Sequence, residues 1–259
     1  MNKNNLKVVI LAGGYGTRLG TLTKLKPKPM VDVCGKPIIE HIIQLYLKSG
    51  FSNFIICGGY KIDVIKDYFK KKFKKNILLN HKNETLIKKK NFSIRIVNTG
   101  KNSLTGGRIK RIRKYVEKDA FFHMTYGDGL SNVNINKLTK FHLKNKKLAT
   151  VTTVKIQVPQ ERFGVVYFKN KNTVKEFVEK PDIKEIFING GFFVLNNKIF
   201  KFIKDDFTRW EAKPLEKIAK QKQLAAFKHT GFWKCMDTLR DRKYLEQFKN
   251  KKFPWNTTS

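Results

Sequence analysis

Near the N-terminus, Val8-Val9-Ile10-Leu11 runs straight into Ala12-Gly13-Gly14-Tyr15-Gly16-Thr17-Arg18-Leu19. A continuous β-branched run with no polar alternation fits a strand buried on both faces, and such strands belong to parallel sheets covered by helices. The glycines that follow strip away side chains where a doubly wound sheet sets its ligand crevice, so that backbone N–H groups can close around phosphate oxygens. The spacing matches neither the dinucleotide G-x-G-x-x-G nor the Walker G-x-x-x-x-G-K-[ST], which argues against hydride transfer and ordinary NTP hydrolysis. Taken alone, a Gly-rich segment is equally compatible with a plain tight turn.

The rest of the chain repeats the alternation that a parallel sheet requires. Pro37 opens a helical segment with Ile38, Ile39, Ile42, Ile43 and Leu45 at near-helical spacing, and Gly50 closes it. Phe54–Cys57 reads as a second strand, and Val64, Ile65 and Phe69 mark another amphipathic helix. A strand over Ser93–Val97, a helix from Gly107 to Glu117, a strand at Ala120–Thr125, a helix over Asn134–Lys144 and a strand at Ala149–Lys155 follow. From Arg162 the pieces shorten: strands at Phe163–Phe168, Val174–Val178 and Gly191–Leu195, a helix at Lys198–Ile203, another at Leu215–Lys220, a strand at Ala225–Lys228 and a last helix from Thr238. The expectation is an α/β fold with a mostly parallel central sheet. It is one domain over 1–259, with halves at 1–157 and 158–259, the second β-rich and building the rest of the pocket on the same core.

Composition narrows the function classes. The 259 residues are 41% hydrophobic with 17 Gly and 7 Pro, so disordered and fibrous readings are out. Lys+Arg number 55 against 20 Asp+Glu, a net charge of +35, which brings a polyanionic partner into consideration. The excess is mostly Lys in scattered runs such as Lys70-Lys71-Lys72 and Lys88-Lys89-Lys90, not Arg with aromatics along one stripe. No nucleic acid is therefore expected as a partner, although basic nucleic-acid binding stays open as an alternative of another class. No apolar run reaches the ~18–20 residues of a membrane span, and no secretory cleavage pattern appears, so a cytoplasmic protein with no membrane contact is expected. The three cysteines (Cys34, Cys57, Cys235) and five scattered histidines suggest neither a disulfide framework nor a zinc site.

Close behind the glycines stands Lys26-Pro27-Lys28-Pro29-Met30, whose prolines are expected to stiffen an extended segment that does not relax into helix. A lysine held rigidly beside a phosphate loop can neutralise charge in phosphoryl transfer. Gly13-Gly14-x-Gly16-Thr17-Arg18-Leu19 followed by Pro27-Lys28-Pro29 resembles the signature of the sugar-1-phosphate nucleotidylyltransferases. The resemblance continues through Thr105-Gly106-Gly107-Arg108, Tyr126-Gly127-Asp128-Gly129, Glu179-Lys180-Pro181, Asn189-Gly190-Gly191, Trp210-Glu211 and Met236-Asp237-Thr238-Leu239-Arg240-Asp241. It is nearest to the family's cytidylyl members. Where they carry an acidic stretch after the loop, this chain has Gly20-Thr21-Leu22-Thr23.

The resemblance implies transfer of CMP from CTP to a hexose 1-phosphate, glucose 1-phosphate first, with release of pyrophosphate, Mg²⁺ as cofactor and a homo-oligomer as the working form. It places Lys28 and Arg18 in catalysis. Leu11, Ala12, Gly13, Gly14, Gly16, Thr17, Arg18, Lys28, Thr105, Gly106, Arg108 and Asp128 fall at the nucleotide. Tyr126, Glu179, Lys180, Asn189, Gly190 and Trp233 fall at the sugar phosphate, and Asp128 with Asp237 at the metal. By local pattern alone Asp128-Gly129 could be a hairpin turn and Asp237 the N-cap of the last helix. Another nucleotide or sugar phosphate, or a glycosyltransferase, also remains open, although the chain offers Gly-Asp-Gly and not the Asp-x-Asp usual for the last.

Overall fold

The computed structural model describes residues 5–156, 165–168, 170, 172–178 and 186–256. The first half runs β1 (Lys7–Ala12), α1 (Thr21–Leu25), a small pair β2 (Asp32–Val33) and β3 (Lys36–Pro37), α2 (Ile38–Lys48), β4 (Asn53–Gly58) and α3 (Ile62–Lys72). A hairpin of β5 (Ile77–His81) and β6 (Glu84–Lys88) follows, then β7 (Ser93–Asn98), α4 (Thr105–Arg111), α5 (Arg113–Val116), β8 (Phe121–Tyr126), β9 (Gly129–Ser131), α6 (Ile135–Asn145) and β10 (Ala149–Lys155). After the paired β11 (Val165–Phe168) and β12 (Val174–Val178) come β13 (Phe187–Asn196), α7 (Lys213–Lys220), β14 (Leu224–His229), β15 (Trp233–Cys235) and α8 (Leu239–Glu246).

Among the described residues nine strands form one sheet in the order β14-β10-β13-β8-β1-β4-β7-β6-β5. Following the pairings from β1, seven of the nine point the same way and only β13 and β6 are reversed. The unbroken apolar run at β1 has the reason its sequence suggested. Val8, Ile10 and Ala12 pack into one core on one face, Val9 and Leu11 into a second core on the other. Helices α2, α3 and α6 contribute to the first core, α4, α5 and α7 to the second.

The elements differ from expectation in several places, and the start of the strand expected at Phe163–Phe168 lies outside the described residues. The helix expected from Gly107 to Glu117 begins at Thr105 and divides at Ile112, whose φ of −98° and ψ of 6° interrupt the ladder while Ile109, Ile112 and Val116 stay on the same core. Asn197–Phe202 forms 3₁₀ turns where a helix over Lys198–Ile203 is expected. The β5–β6 hairpin escapes the pattern because β5, the edge strand, leaves Leu78 and Leu79 exposed and carries no inside-outside alternation. Lys28–Met30 is a 3₁₀ turn and not extended: Met30 N–H donates to the Pro27 carbonyl at 2.8 Å, while only Lys26 and Pro27 are extended. Pro29 fits there because a helix's first turn has no partner for its missing N–H.

Candidate active site

From β1 the chain builds outward through β4 and β7 and then returns to β8 on the opposite side of β1. Strand order therefore reverses at β1, and the carboxyl ends of β1 and β8 flank a crevice of the kind that holds ligands in such sheets. The Gly-rich turn leaves β1 into this crevice. Gly16 has φ +66°, and a Cβ there would lie 3.0 Å from Lys28 Cβ and 3.1 Å from Thr23 Cγ2, so glycine lets loop and lysine approach. Thr23 Oγ1 donates to the Gly16 and Gly20 carbonyls at 3.2 and 3.1 Å, tying α1 to the turn in the acid-free segment.

Arg108 braces the same turn from behind. It is 4% exposed, and its guanidinium donates to the carbonyls of Gly13 (2.8 Å), Gly100 (2.8 Å), Gly58 (3.3 Å) and Lys101 (3.4 Å) and to Thr99 Oγ1 (2.9 Å). Tyr60 N–H also donates to the Gly13 carbonyl at 3.0 Å. A Cβ on Gly13 would sit 2.1 Å from Arg108 Nη1, so that glycine makes room for the clamp. Arg108 thus shapes the loop while its side chain borders the cavity.

That cavity, about 270 Å³, is bordered by Leu11, Ala12, Gly13, Gly14 and Gly16 of the turn, by Ser103, Leu104, Thr105 and Arg108, and by Arg18, Lys28 and Asp128. Two residues expected at the nucleotide do not border it. Thr17 lies exposed in a 3₁₀ turn. Gly106 is buried, with its N–H given to the Thr208 carbonyl at 2.9 Å, and a Cβ would meet that carbonyl at 2.6 Å; the glycine is there for close approach.

A second cavity of about 290 Å³ shares Arg18, Tyr126 and Asp128 with the first and is otherwise lined by Asn189, Gly190, Glu211, Trp233, Cys235 and Asp237 among others. Gly191, at φ +81°, lets β13 pass Tyr126, whose ring carbon Cδ2 would lie 2.9 Å from an added Cβ. Trp233 Nε1 donates to the Gly190 carbonyl at 2.7 Å and Asn189 Nδ2 reaches Tyr126 Oη at 3.5 Å. Glu211 joins the two cavities, accepting from Tyr126 Oη at 2.5 Å and from Thr105 Oγ1 at 2.6 Å. Burial, with the Glu211 carboxylate beside it, pushes the Tyr126 phenol well above its ordinary pKa. Glu179 and Lys180 lie outside the described residues.

Between the cavities Lys28 Nζ donates to Asp128 Oδ2 and Asp237 Oδ1, each at 2.6 Å, and Arg18 Nη1 donates to Asp237 Oδ2 at 3.0 Å. Lys28 is 8% exposed. Burial pulls its pKa down, but the carboxylates beside it raise it further and leave it above the ordinary lysine value, so the ammonium is charged. Asp128 sits between β8 and β9, which do not pair with each other; β9 pairs with β15, so the segment is not a hairpin turn. Gly127 and Gly129 are not in the left-handed region that a primed hairpin turn needs. Asp237 is not the cap of α8 either. Thr238 is, in a capping box with Asp241.

Lys28, Arg18, Asp128 and Asp237, named by the resemblance, are brought to one place by the structure, and Glu211, Cys235 and Ser103, given no site role from the sequence, join them. Glu211 had a signal in its Trp-Glu pair. The thiol of Cys235 lies within 4.8 Å of carboxylate oxygens of Asp128 and Asp237, a set of three that could hold a metal ion among the described residues. Nothing local in the sequence marks it. Of the five histidines, His41, His123, His142 and His229 are buried and bonded to neighbours, and His81 is exposed.

The family model for nucleotidyl transferases matches residues 7–244. The chain belongs to the nucleotidyl transferase family. Among its relatives, the glucose-1-phosphate cytidylyltransferase of Salmonella typhimurium is 44% identical over 264 residues, covering 97% of this chain and 99% of that protein. The probable glucose-1-phosphate cytidylyltransferase of Bacillus subtilis is 38% identical over 242 residues, covering 91% and 93%. Of solved structures, HddC from Yersinia pseudotuberculosis superposes with a TM-score of 0.66 at 27% identity over 94% of this chain and 100% of that one. The α/β fold and the nucleotidyltransferase activity follow from the family. No helix among the described residues is long and apolar enough to cross a membrane.

Proposed function

We propose that this nucleotidyl transferase moves the cytidylyl group of CTP onto a hexose 1-phosphate, glucose 1-phosphate in the first place, with release of pyrophosphate. The observation that carries the reading is the meeting of Lys28, Arg18, Asp128 and Asp237 where the two cavities join. The likeness to the Salmonella and Bacillus proteins over nearly their whole lengths supports the choice of CTP and glucose 1-phosphate. The chain is read as one domain with a nucleotide-binding half at 1–157 and a sugar-phosphate-binding half at 158–259; the first half lines the nucleotide cavity, and both halves contribute to the other.

The reaction joins a sugar-phosphate oxygen to the α-phosphorus of the nucleotide as pyrophosphate leaves, so the protein must align two anions and stabilise negative charge on the leaving side. The cavity bounded by the Gly-rich turn and Thr105 receives the nucleotide, with turn amides available to phosphate oxygens. The cavity of Tyr126, Asn189, Gly190 and Trp233 receives the hexose phosphate, and Glu179 and Lys180 are assigned to the same substrate. Lys28 and Arg18 hold positive charge between them, where the transferred phosphoryl must lie. Two carboxylates converging on one point fit a divalent cation by donor chemistry, and Asp128 and Asp237 are assigned to Mg²⁺. When bound, the ion supplies charge neutralisation to phosphate oxygens.

The test is pyrophosphate release across CTP, UTP, dTTP, GTP and ATP with several sugar 1-phosphates. A site that pairs with the cytosine amino group leaves a buried polar group unpaired when uracil binds, so CTP is expected to exceed UTP by about 10² or more in kcat/KM. Equal use of UTP or dTTP would overturn the cytidylyl reading and leave the fold untouched.

A further inference from the structure

The sulfur of Cys235 belongs to the same converging set as the two carboxylates, and the backbone builds that convergence. Cys235 ends β15 opposite Gly129 of β9, and Met236 N–H donates to the Asp128 carbonyl at 2.9 Å. Asp128, Cys235 and Asp237 are thereby locked to one another, each offering one ligand atom within 4.8 Å of the others. The point between the carboxylates already holds positive charge, since Lys28 Nζ lies 2.6 Å from each. Cys235 also borders the open sugar-side cavity, so an ion from solvent can reach it.

Two carboxylates alone suit a hard ion that keeps its waters, as Mg²⁺ does. A thiolate adds almost nothing for Mg²⁺ and a great deal for zinc or cadmium, which bind sulfur strongly and accept a set of three protein ligands with one position left open. We propose that Asp128, Cys235 and Asp237 form a thiophilic divalent-cation site, at which Zn²⁺ or Cd²⁺ binds through the Cys235 sulfur in competition with Mg²⁺. As the sulfur–metal bond forms, the thiol S–H bond breaks and its proton passes to solvent, while the Lys28 ammonium leaves the carboxylates to the incoming ion. The inference extends the metal assignment of the proposed function, and its test reads no turnover, so the two can fail separately.

The experiment titrates the metal-free full chain with Cd²⁺, without nucleotide, and follows the thiolate-to-cadmium charge-transfer absorbance in the ultraviolet. The expected result is a saturable band at one equivalent per chain, shifted to higher Cd²⁺ by excess Mg²⁺. It should be lost in Cys235→Ser, weakened about tenfold or more in affinity by Asp237→Asn, and kept in Cys34→Ser and Cys57→Ala. Circular dichroism checks each fold, with Cys235→Ala taking the place of the serine variant if that one does not fold. A band that survives loss of the Cys235 sulfur would overturn the proposal. So would the absence of a band in wild type whose three thiols titrate as reduced, or a band indifferent to Mg²⁺.

Discussion

Lys28 sits between two carboxylates at 2.6 Å and is nearly out of water, an arrangement that fixes both its charge and its position. If that charge acts mainly on the transition state, Lys28→Ala lowers kcat by roughly 10²–10³ and raises KM for either substrate much less. Lys26, paired with half-buried Asp32 away from the two aspartates, is expected to matter far less when changed to alanine. Steady-state kinetics on both variants checks this, and an unimpaired Lys28→Ala enzyme would remove the lysine from the mechanism. The two aspartates give a sharper test because they are proposed to share one ion. Asp128→Asn and Asp237→Asn should each cost roughly 10²–10⁴ in kcat, and the double variant should be scarcely worse than the poorer single. Turnover against Mg²⁺ concentration for all four proteins decides it; strictly additive losses mean that the aspartates act apart.

The last helix shows how an element positions a residue outside itself. Thr238 Oγ1 accepts from Asp241 N–H at 3.2 Å, and Asp241 Oδ2 in turn accepts from Thr238 N–H at 2.8 Å and from Asp237 N–H at 3.1 Å. The cap of α8 therefore holds the backbone of Asp237 as well as the helix end. Removing the hydroxyl by Thr238→Ala should cost about 1 kcal/mol, a fall of roughly 2–4 °C in melting midpoint for a chain of this size. The same change should also raise the Mg²⁺ concentration needed for half-maximal turnover. A lowered midpoint with unchanged Mg²⁺ dependence would show that the cap stabilises the helix without placing Asp237. The sequence marked the helix start at Thr238 but offered Asp237 as its cap; the hold of Asp241 on Asp237 has no separate pattern, because the side chain bonds back past the cap.

At the scale of the whole molecule, burial holds His123 and His142 neutral, their pKa values lowered to about 3 and about 4 from the usual 6.5. Below pH ~6.5 the unfolded chain takes up protons that the fold excludes, so stability falls as pH drops from there toward 4. Thermal melts between pH 7.5 and 4.5 should show a declining midpoint, shallower in His142→Gln. A wild-type midpoint constant down to pH 5 would contradict the buried neutral histidines. The net charge of +35 already counts every carboxylate, so ion pairs such as those of Lys28, Lys72 and Lys234 place charge locally and leave the total unchanged.

Read by itself, the sequence determined what depends on near neighbours along the chain. The unbroken run at Val8–Leu11 implied a strand covered on both faces, Asn134 and Thr238 marked helix starts, and the glycines before Arg18 marked the crevice. These follow because burial of a strand and satisfaction of helix ends are settled within a few residues. The resemblance of its motifs then named Lys28, Asp128 and Asp237 together. Only the tertiary structure decided their convergence, since Lys28 lies 100 residues from Asp128 and 209 from Asp237. The return of the chain to β8 and the pairing of β9 with β15 bring those positions to one point. The same long-range register put Arg108 behind Gly13, Glu211 between Tyr126 and Thr105, and the Cys235 sulfur beside the carboxylates. None of these contacts has a local signature, because sheet order is set by the competition of whole strands for the core and not by the residues that the sheet happens to bring together.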